Sequence, residues 1–536
     1  MSALRRTRAW LREISTLDLR SLACLRVLTG GVVVWDVLDR ARDLTAHYTD
    51  GGILPTETAR ALAAHFGWFS LHTQSGSFGY QLALAIVTLL LGLALVAGLA
   101  TRLVTPLCWV LCVSVQNRFC LGDYPGDYLL AVMLLGGSLL PWGALGSADA
   151  WRRQRRGAAL PAPQYRGPGG HALLLLFVLF LGTAGLSKIA AGGHWLDGSA
   201  LYLTLSSARY TSGRLDGFLD HPGLLQPISY GIPWLEVALP LLLLSPWRHA
   251  AVRTWAIAAS CALFVSFSVG LDLSAFPLLS GAIAIGLLPP WFWEQLVPAL
   301  RRRARRAPAP PAAREPAAQD AVTSDRALLP GPAARVTHAL AICLMLLHAT
   351  HYFYKIGNFS YFAAPKAPPA FVDRTLGFLR LKNIYRLFAD PSVFEQSDGW
   401  DVAPGELADG RKIDVLSGAA LSSDPPPSAT EALDGLRWHQ YLTLLNWYPS
   451  WNPKHITSYH VVEYARLRAD LARYLCRWWN ERHTGAERLA SVNVGVVSAP
   501  VRYAQPKAAP RMTELLARAH RCAGPAPVAG VDDHAD

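Results

Sequence analysis

ALLLLFVLFLGTAGLSKI, residues 172–189, carries no charge before Lys188, and its reading decides the class of the fold. As a helix rising about 1.5 Å per residue it covers roughly 27 Å, close to the ~30 Å hydrocarbon core of a bilayer. Residues 80–100 and 252–270 form runs of similar length, the first without charge and the second with Arg253 alone. A large soluble enzyme can bury one such helix in its core; several in one chain call for a second solvent. Composition agrees: of 536 residues 52% are hydrophobic and 16% charged, and the mean hydropathy is +0.22, away from the balance of soluble globular chains.

Working outward from these runs, hydropathy predicts roughly nine crossing helices, near 22–38, 80–100, 103–115, 127–142, 172–189, 229–244, 252–270, 273–288 and 336–352. The net charge of +12 raises the question of nucleic acid, and position answers it. Arginines cluster at Arg5-Arg6-x-Arg8, at Arg152-Arg153-x-Arg155-Arg156 and at Arg301 to Arg303 with Arg305-Arg306, each beside an apolar run. This is the positive-inside pattern, and no aromatic-interleaved basic stripe of an RNA-binding module occurs. With the N-terminus in the cytoplasm, the basic loops after the fourth, sixth and eighth crossings all fall inside, and the ninth crossing exports the C-terminal region. The basic N-terminus resembles a signal peptide, but Arg26 and Asp36 interrupt its apolar stretch and no small-residue cleavage site follows, so it reads as a retained first helix.

The expected fold class is an all-α polytopic membrane helical bundle followed by an extracytoplasmic α+β domain. Residues 1–300 form the bundle, 301–332 a disordered Pro/Ala/Arg-rich cytoplasmic linker, 333–357 the last transmembrane helix and 358–536 the exported domain. Turn signals at Asp398-Gly399 and Asp409-Gly410 separate short strand-like pieces, helical periodicity runs from Tyr459 to Trp479, and 491–498 reads as a strand. Of the eight cysteines only Cys476 and Cys522 belong to the exported part, where an oxidising compartment allows them either to pair or to stay free.

The chemistry-bearing signals are first negative. Gly167-Pro168-Gly169-Gly170 lacks the Lys-Ser/Thr of a phosphate loop, His455 and His460 are spaced wrongly for one helix face, and neither CxxC nor Gly-x-Ser-x-Gly occurs. No metal site is expected, and His439 and His483 read as surface or partly packed residues. What remains is a set of polar residues at membrane depth, where each is costly. Arg26 and Asp36 share a helix but lie roughly 15 Å apart along it, so each needs another partner; for Asp36 the simplest is Arg40, one turn on. Lys188 ends its apolar run near the outer face. It either snorkels to the interface or enters a partly dry pocket, where a neutral amine becomes available as a base.

Several short stretches in order resemble the vitamin K-dependent γ-carboxylase family and its bacterial relatives, the HTTM (horizontally transferred transmembrane domain) proteins. They are Leu17-Asp18-Leu19-Arg20 with Leu25-Arg26, Trp35-Asp36, His47-Tyr48-Thr49-Asp50-Gly51, Ser70-Leu71-His72, Gly98-Leu99-Ala100-Thr101-Arg102, Ser147-Ala148-Asp149-Ala150, and Gly185-Leu186-Ser187-Lys188-Ile189 with His194-Trp195-Leu196-Asp197-Gly198. The likeness covers about the first three hundred residues and is nearer to the bacterial branch. It implies Lys188 as the base that begins oxygenation of a reduced, vitamin K-like quinone, with Asp127 where the animal enzyme has a functional histidine. Arg26, Asp36, Asp50, Arg102, His194, Trp195 and Asp197 are implied as substrate-contacting or structural polar residues. A second family histidine finds only Ser268, Val269 and Gly270 here, so the pattern departs from that of a glutamate carboxylase while binding of a quinone or another lipid-soluble substrate remains compatible with it.

The expected function is therefore a γ-carboxylase-like membrane enzyme, a quinol-dependent oxygenase, epoxidase or carboxylase working at the outer membrane face. The alternative is a non-catalytic membrane component for peptide secretion, maturation or immunity. The expected setting is the bacterial cytoplasmic membrane, and the expected partners are the lipid bilayer and a secreted peptide or protein substrate, not nucleic acid.

Overall fold

The computed structural model describes residues 7, 10, 12–207, 211–305, 322–324, 328, 331–356, 368–382, 397–424, 435–446, 458–505, 509–516 and 518–522. In chain order, β1 (Leu17–Asp18) leads into α1 (Leu19–Arg42), α2 (Leu44–Tyr48), α3 (Thr56–Phe66), α4 (Phe78–Ala97), α5 (Thr101–Arg118), α6 (Pro125–Gly137) and α7 (Ala148–Arg155). Then come β2 (Gln164–Tyr165), α8 (Pro168–Ala191), α9 (Ala200–Ser206), α10 (Pro222–Leu243), α11 (His249–Gly270), α12 (Phe276–Gly286), α13 (Val297–Arg305), β3 (Val322–Thr323) and α14 (Gly331–Ile356).

Among the described residues 5 helices are long and apolar enough to cross a membrane: Leu19–Arg42, Phe78–Ala97, Pro168–Ala191, His249–Gly270 and Gly331–Tyr352. The protein is thus a helical, membrane-type chain. Each of the other apolar stretches is helical too, but shorter or interrupted. Pro227, Pro233 and Pro240 interrupt the hydrogen bonding of α10, and α6 ends at Gly137, before the expected 142.

Small residues set how closely the helices pack. A Cβ on Gly30 of α1 would stand 2.9 Å from Val96, and one on Gly92 of α4 would stand 3.0 Å from Val33, so these glycines let α1 and α4 meet backbone to backbone. The outward face of α4 shows Leu82, Ile86, Leu90 and Leu93 exposed at steps of three and four residues. Such a stripe suits a lipid-facing surface, where a helix satisfies its own backbone and needs only apolar side chains.

The two ends of the bundle differ. At one end the short strands form a sheet in the order β1-β2-β3, which joins the start of α1, the segment before α8 and Val322–Thr323. Within the expected linker, Arg301 to Arg305 continue α13 and Val322–Thr323 pairs with β2, while residues 306–321 lie outside the described residues.

At the other end sits the C-terminal domain. After α15 (Ala370–Phe378), whose Val372 and Leu376 pack with Leu344 and Leu347 of α14 and Val132 of α6, it comprises β4 (Ser397–Val402), β5 (Pro404–Leu407), β6 (Lys412–Asp414), α16 (Leu436–Asn446), α17 (Ser458–Asn480), β7 (Leu489–Val492), β8 (Gly495–Pro500), β9 (Arg511–Glu514) and β10 (His520–Arg521). Two sheets run in the orders β10-β7-β5-β6 and β4-β8-β9. The strand expected over 491–498 is two strands. They break at Asn493, whose side-chain carbonyl accepts from the Leu516 amide at 3.1 Å and whose amide donates to the Leu516 carbonyl at 3.2 Å.

Leu467, Leu471, Leu475 and Trp479 of α17 pack with Trp438 and Tyr441 of α16, and Tyr48, Ile53 and Leu62 from the bundle side complete the same core. Cys476 and Cys522 are bonded across a separation of 46 residues. Closing a loop of that length removes about 4 kcal/mol of unfolded-chain entropy in the chain-entropy account.

Candidate functional site

Lys188 lies one helical turn before the end of α8. Three residues earlier, Gly185 presses against α10 so closely that a Cβ there would meet the Pro233 carbonyl oxygen at 2.6 Å and the Glu236 Cβ at 2.9 Å. This approach puts residue 188, on the same helix face, beside α10. Lys188 Nζ donates to Glu236 Oε1 at 3.0 Å and Oε2 at 2.8 Å, and both side chains are 3% exposed. Lys188 does not snorkel. Its charge is answered inside the protein, which an ammonium removed from water requires.

The pair forms part of the wall of a cavity of ≈ 800 Å³ bounded by α8, α9, α10 and α11, with Leu205, Leu225, Ile228, Leu263 and Phe267 among its apolar lining. Trp195 also lines it, with its ring centroid 5.3 Å from Lys188 Nζ. The volume is in the range of small-molecule sites, and the design is that of one: apolar walls with a single charged pair to orient a ligand.

Asp127 is elsewhere. It belongs to a second buried assembly, where the far end of α1 meets α6 and the C-terminal domain. Its Oδ2 accepts from the Tyr124 amide at 2.7 Å and caps α6, while Oδ1 accepts from Arg40 Nη2 at 2.6 Å and Arg437 Nη2 at 3.1 Å. Asp36 accepts from Arg40 Nε at 3.0 Å, the pairing expected from their spacing, and also from Arg437. Arg437 Nε reaches Asp39 at 3.2 Å.

Beside this network Arg380 binds Asp123 and lies over the ring of Trp68 at 4.6 Å. Burial, only partly offset by Arg380, raises the Asp123 carboxyl to about 7. His72, its Nδ1 2.8 Å from Ser114 Oγ, is pushed by burial down to about 3, and burial also holds His47 well below the ordinary range.

The remaining sequence-selected residues serve local structure. Arg26 donates to the carbonyls of Trp142 at 3.1 Å and Gly146 at 2.7 Å, clasping the chain between α6 and α7 to α1. Asp50 Oδ1 accepts from the Thr56 amide at 2.8 Å at the start of α3, and hydrogen bonds from Thr56 hold its carboxyl below the usual range. Arg102 Nη2 donates to the Leu328 carbonyl at 2.5 Å. His194 Nδ1 is 2.7 Å from Ser199 Oγ, and Asp197 Oδ1 accepts from the Ser199 amide at 2.8 Å. Of the candidates, then, only Lys188 and Trp195 meet at one cavity.

Glu236 escaped the sequence reading although its signal was there: it is the only charged residue between Pro222 and Leu243. Arg437 carried no such signal. It lies in a polar segment of the C-terminal domain, and only the fold takes it 401 residues back to Asp36. His455 lies outside the described residues, as does the side chain of His460, while His483 stacks on Trp479 with ring centroids 4.1 Å apart. Among the described residues no group of three or more His, Cys, Asp or Glu side chains is placed to hold a metal ion. The chain matches no family model, no curated protein and no solved structure.

Proposed function

We propose that the protein is a γ-carboxylase-like membrane enzyme whose cavity beside Lys188 binds a lipid-soluble quinol and whose Lys188–Glu236 pair manages its hydroxyl proton. The observation that carries this reading is a largely apolar cavity of ≈ 800 Å³ with a buried ion pair in its wall. A reduced quinone suits such a space: a flat apolar ring fits against Trp195 and Phe267, a prenyl tail along the leucines, and one hydroxyl at the charged pair. When bound, it supplies an acidic hydroxyl and reducing electrons.

The chain's own part follows from the geometry. With Glu236 at 2.8 Å, Lys188 is not an isolated base. The carboxylate takes the hydroxyl proton, and the ammonium stays opposite the developing oxyanion, where a low-dielectric wall strengthens its field. This modifies the role that the family resemblance implies for Lys188 alone.

The same reading includes nine crossings of a bacterial cytoplasmic membrane, with the N-terminus inside and the C-terminal domain outside. Its support is the side on which elements gather: the β1-β2-β3 end carries the arginine-rich segments, and the opposite end carries the disulfide-bonded domain. In this orientation the cavity lies toward the outer end of α8, and a secreted peptide or protein substrate meets it from the side of the exported domain.

A non-catalytic role in peptide secretion, maturation or immunity is the second reading, favoured by one observation: a fully paired Lys188 is also a stable structural arrangement. The experiment is to purify the protein in detergent, identify co-extracted lipids by mass spectrometry and compare wild type with Lys188→Ala. A quinone in the wild type and loss of quinol oxidation in the variant support the enzyme. Lipid without quinone, or an unchanged cellular phenotype in Lys188→Ala, supports the accessory role.

A further inference from the structure

At the β1-β2-β3 end of the bundle, arginines surround a concavity that the quinol reading does not use. It measures ≈ 410 Å³ and is lined by the start of α5, the 140–144 turn and α7, with Arg102, Arg152, Arg153 and Arg156 on its walls. Asp149, the carboxylate in this lining, is already engaged. It accepts from the Ala100 amide at 2.8 Å, the Thr101 amide at 2.9 Å and Thr101 Oγ1 at 3.1 Å, and so caps α5. Arg153 donates to the carbonyls of Gly143 at 3.2 Å and Ala144 at 3.0 Å, which fixes the turn against α7. The side chains of Arg152 and Arg156 have no hydrogen-bond or ion-pair partner among the described residues.

The surroundings of this basic hollow are apolar on one side. Leu103 lines it and is 63% exposed, and Leu107, one turn further along α5, is 41% exposed. Trp151, on the face of α7 turned away from the hollow, is 52% exposed and lies 4.1 Å below the Arg155 guanidinium. Exposed leucines beside a cluster of arginines are the surroundings that a phospholipid meets at a membrane interface: acyl chain against the one, phosphate against the other. A soluble anion would use the arginines but not the adjoining leucines.

We propose that this hollow holds the phosphate headgroup of an anionic phospholipid, with Arg152 and Arg156 as the charges that meet the phosphodiester and Leu103 and Leu107 against an acyl chain. Guanidinium groups suit the role because their planar donors match two phosphate oxygens at once. The site would fix α7 and the following basic loop to the membrane surface, independently of what the Lys188 cavity binds.

The test is native mass spectrometry of the full chain in detergent, with phosphatidylglycerol and phosphatidylcholine added in equal amounts. Arg152→Ala with Arg156→Ala and the charge-preserving Arg152→Lys with Arg156→Lys are compared with wild type, each checked by its melting curve. The site predicts retention of phosphatidylglycerol over phosphatidylcholine. It predicts a loss of roughly 30-fold in the double alanine variant, from about 1 kcal/mol for each basic residue near an anionic surface, and partial rescue in the lysine variant. Equal retention of both lipids, or a preference untouched by the alanine variant, overturns it. Inorganic pyrophosphate bound through Arg152 and Arg156, without discrimination between the lipids, also overturns the lipid assignment and points to a soluble phosphate.

Discussion

Arg437 Nη2 stands 3.1 Å from Asp127 Oδ1 although 310 residues separate them. Through this residue α16 reaches into the end of the bundle, where Asp36, Asp39, Asp123 and Asp127 face Arg40, Arg380 and Arg437. One carboxylate is in excess; burial raises Asp123 to about 7, and the neighbouring Asp127 adds to the rise.

Removing Arg437 should therefore be severe. Arg437→Ala strands Asp36 and Asp127 in a buried site with Arg40 alone, and breaking a buried ionic arrangement from one side costs about 3–5 kcal/mol. Thermal unfolding in detergent should show this loss, and limited proteolysis should cleave the C-terminal domain first. A variant that melts like the wild type would mean that Arg437 is not the docking residue.

Acid stability should depend on His72. Its folded value near 3 lies below its unfolded value near 6.5, so its contribution is complete above that unfolded value and is lost as pH falls toward 3. From about pH 7.5 to about pH 5 the loss is about 2 kcal/mol. Asp123 acts oppositely: its folded value near 7 lies above 3.8, so its contribution is present at low pH and is lost as pH rises through 7. The two partly cancel in the wild type. His72→Gln exposes them: relative to wild type, this variant should gain about 2 kcal/mol between pH 7.5 and 5, read from paired melting curves. A constant difference across that range would contradict the assignment.

Orientation can be read in intact cells. Lys412→Cys, at the exposed first residue of β6, should react with a membrane-impermeant maleimide without permeabilisation, whereas Ala158→Cys, in the exposed basic loop after α7, should react only after it. The reverse pattern, or equal labelling, would refute the proposed topology.

The Lys188–Glu236 pair should show the asymmetry of buried charges. Glu236→Gln leaves an unanswered ammonium and should destabilise by about 3–5 kcal/mol, while Lys188→Met combined with Glu236→Leu, which removes both charges, should cost much less. A loss in the double variant equal to the sum of the Lys188→Met and Glu236→Leu losses would show that the two residues are not coupled.

The sequence disclosed what periodicity and lone charges can disclose. Residues 172–189 announced their helix, and Lys188 stood out as the one charge in that run. The Asp36–Arg40 pair followed from helical spacing alone. Two kinds of feature stayed hidden. Partnerships across the fold, such as Lys188 with Glu236 or Arg437 with Asp36, depend on which helices become neighbours, and Gly185 decides one of these through a close approach that composition does not advertise. Asp127 looked like a site residue because of its motif position, yet its carboxylate caps α6 and pairs with arginines, tasks that any buried acid at a helix start can perform.

The central claim is that the Lys188–Glu236 cavity binds a quinol. Its most direct test is equilibrium titration of the purified protein with a reduced naphthoquinone, comparing wild type, Lys188→Met with Glu236→Leu, and Leu205→Trp, which narrows the cavity. Saturable binding is predicted for the wild type, with roughly 10- to 100-fold weaker binding in the charge-free variant for the loss of charge-assisted hydrogen bonds, and weakened binding in Leu205→Trp. Equal affinity in all three proteins, each folded by its melting curve, would contradict the account.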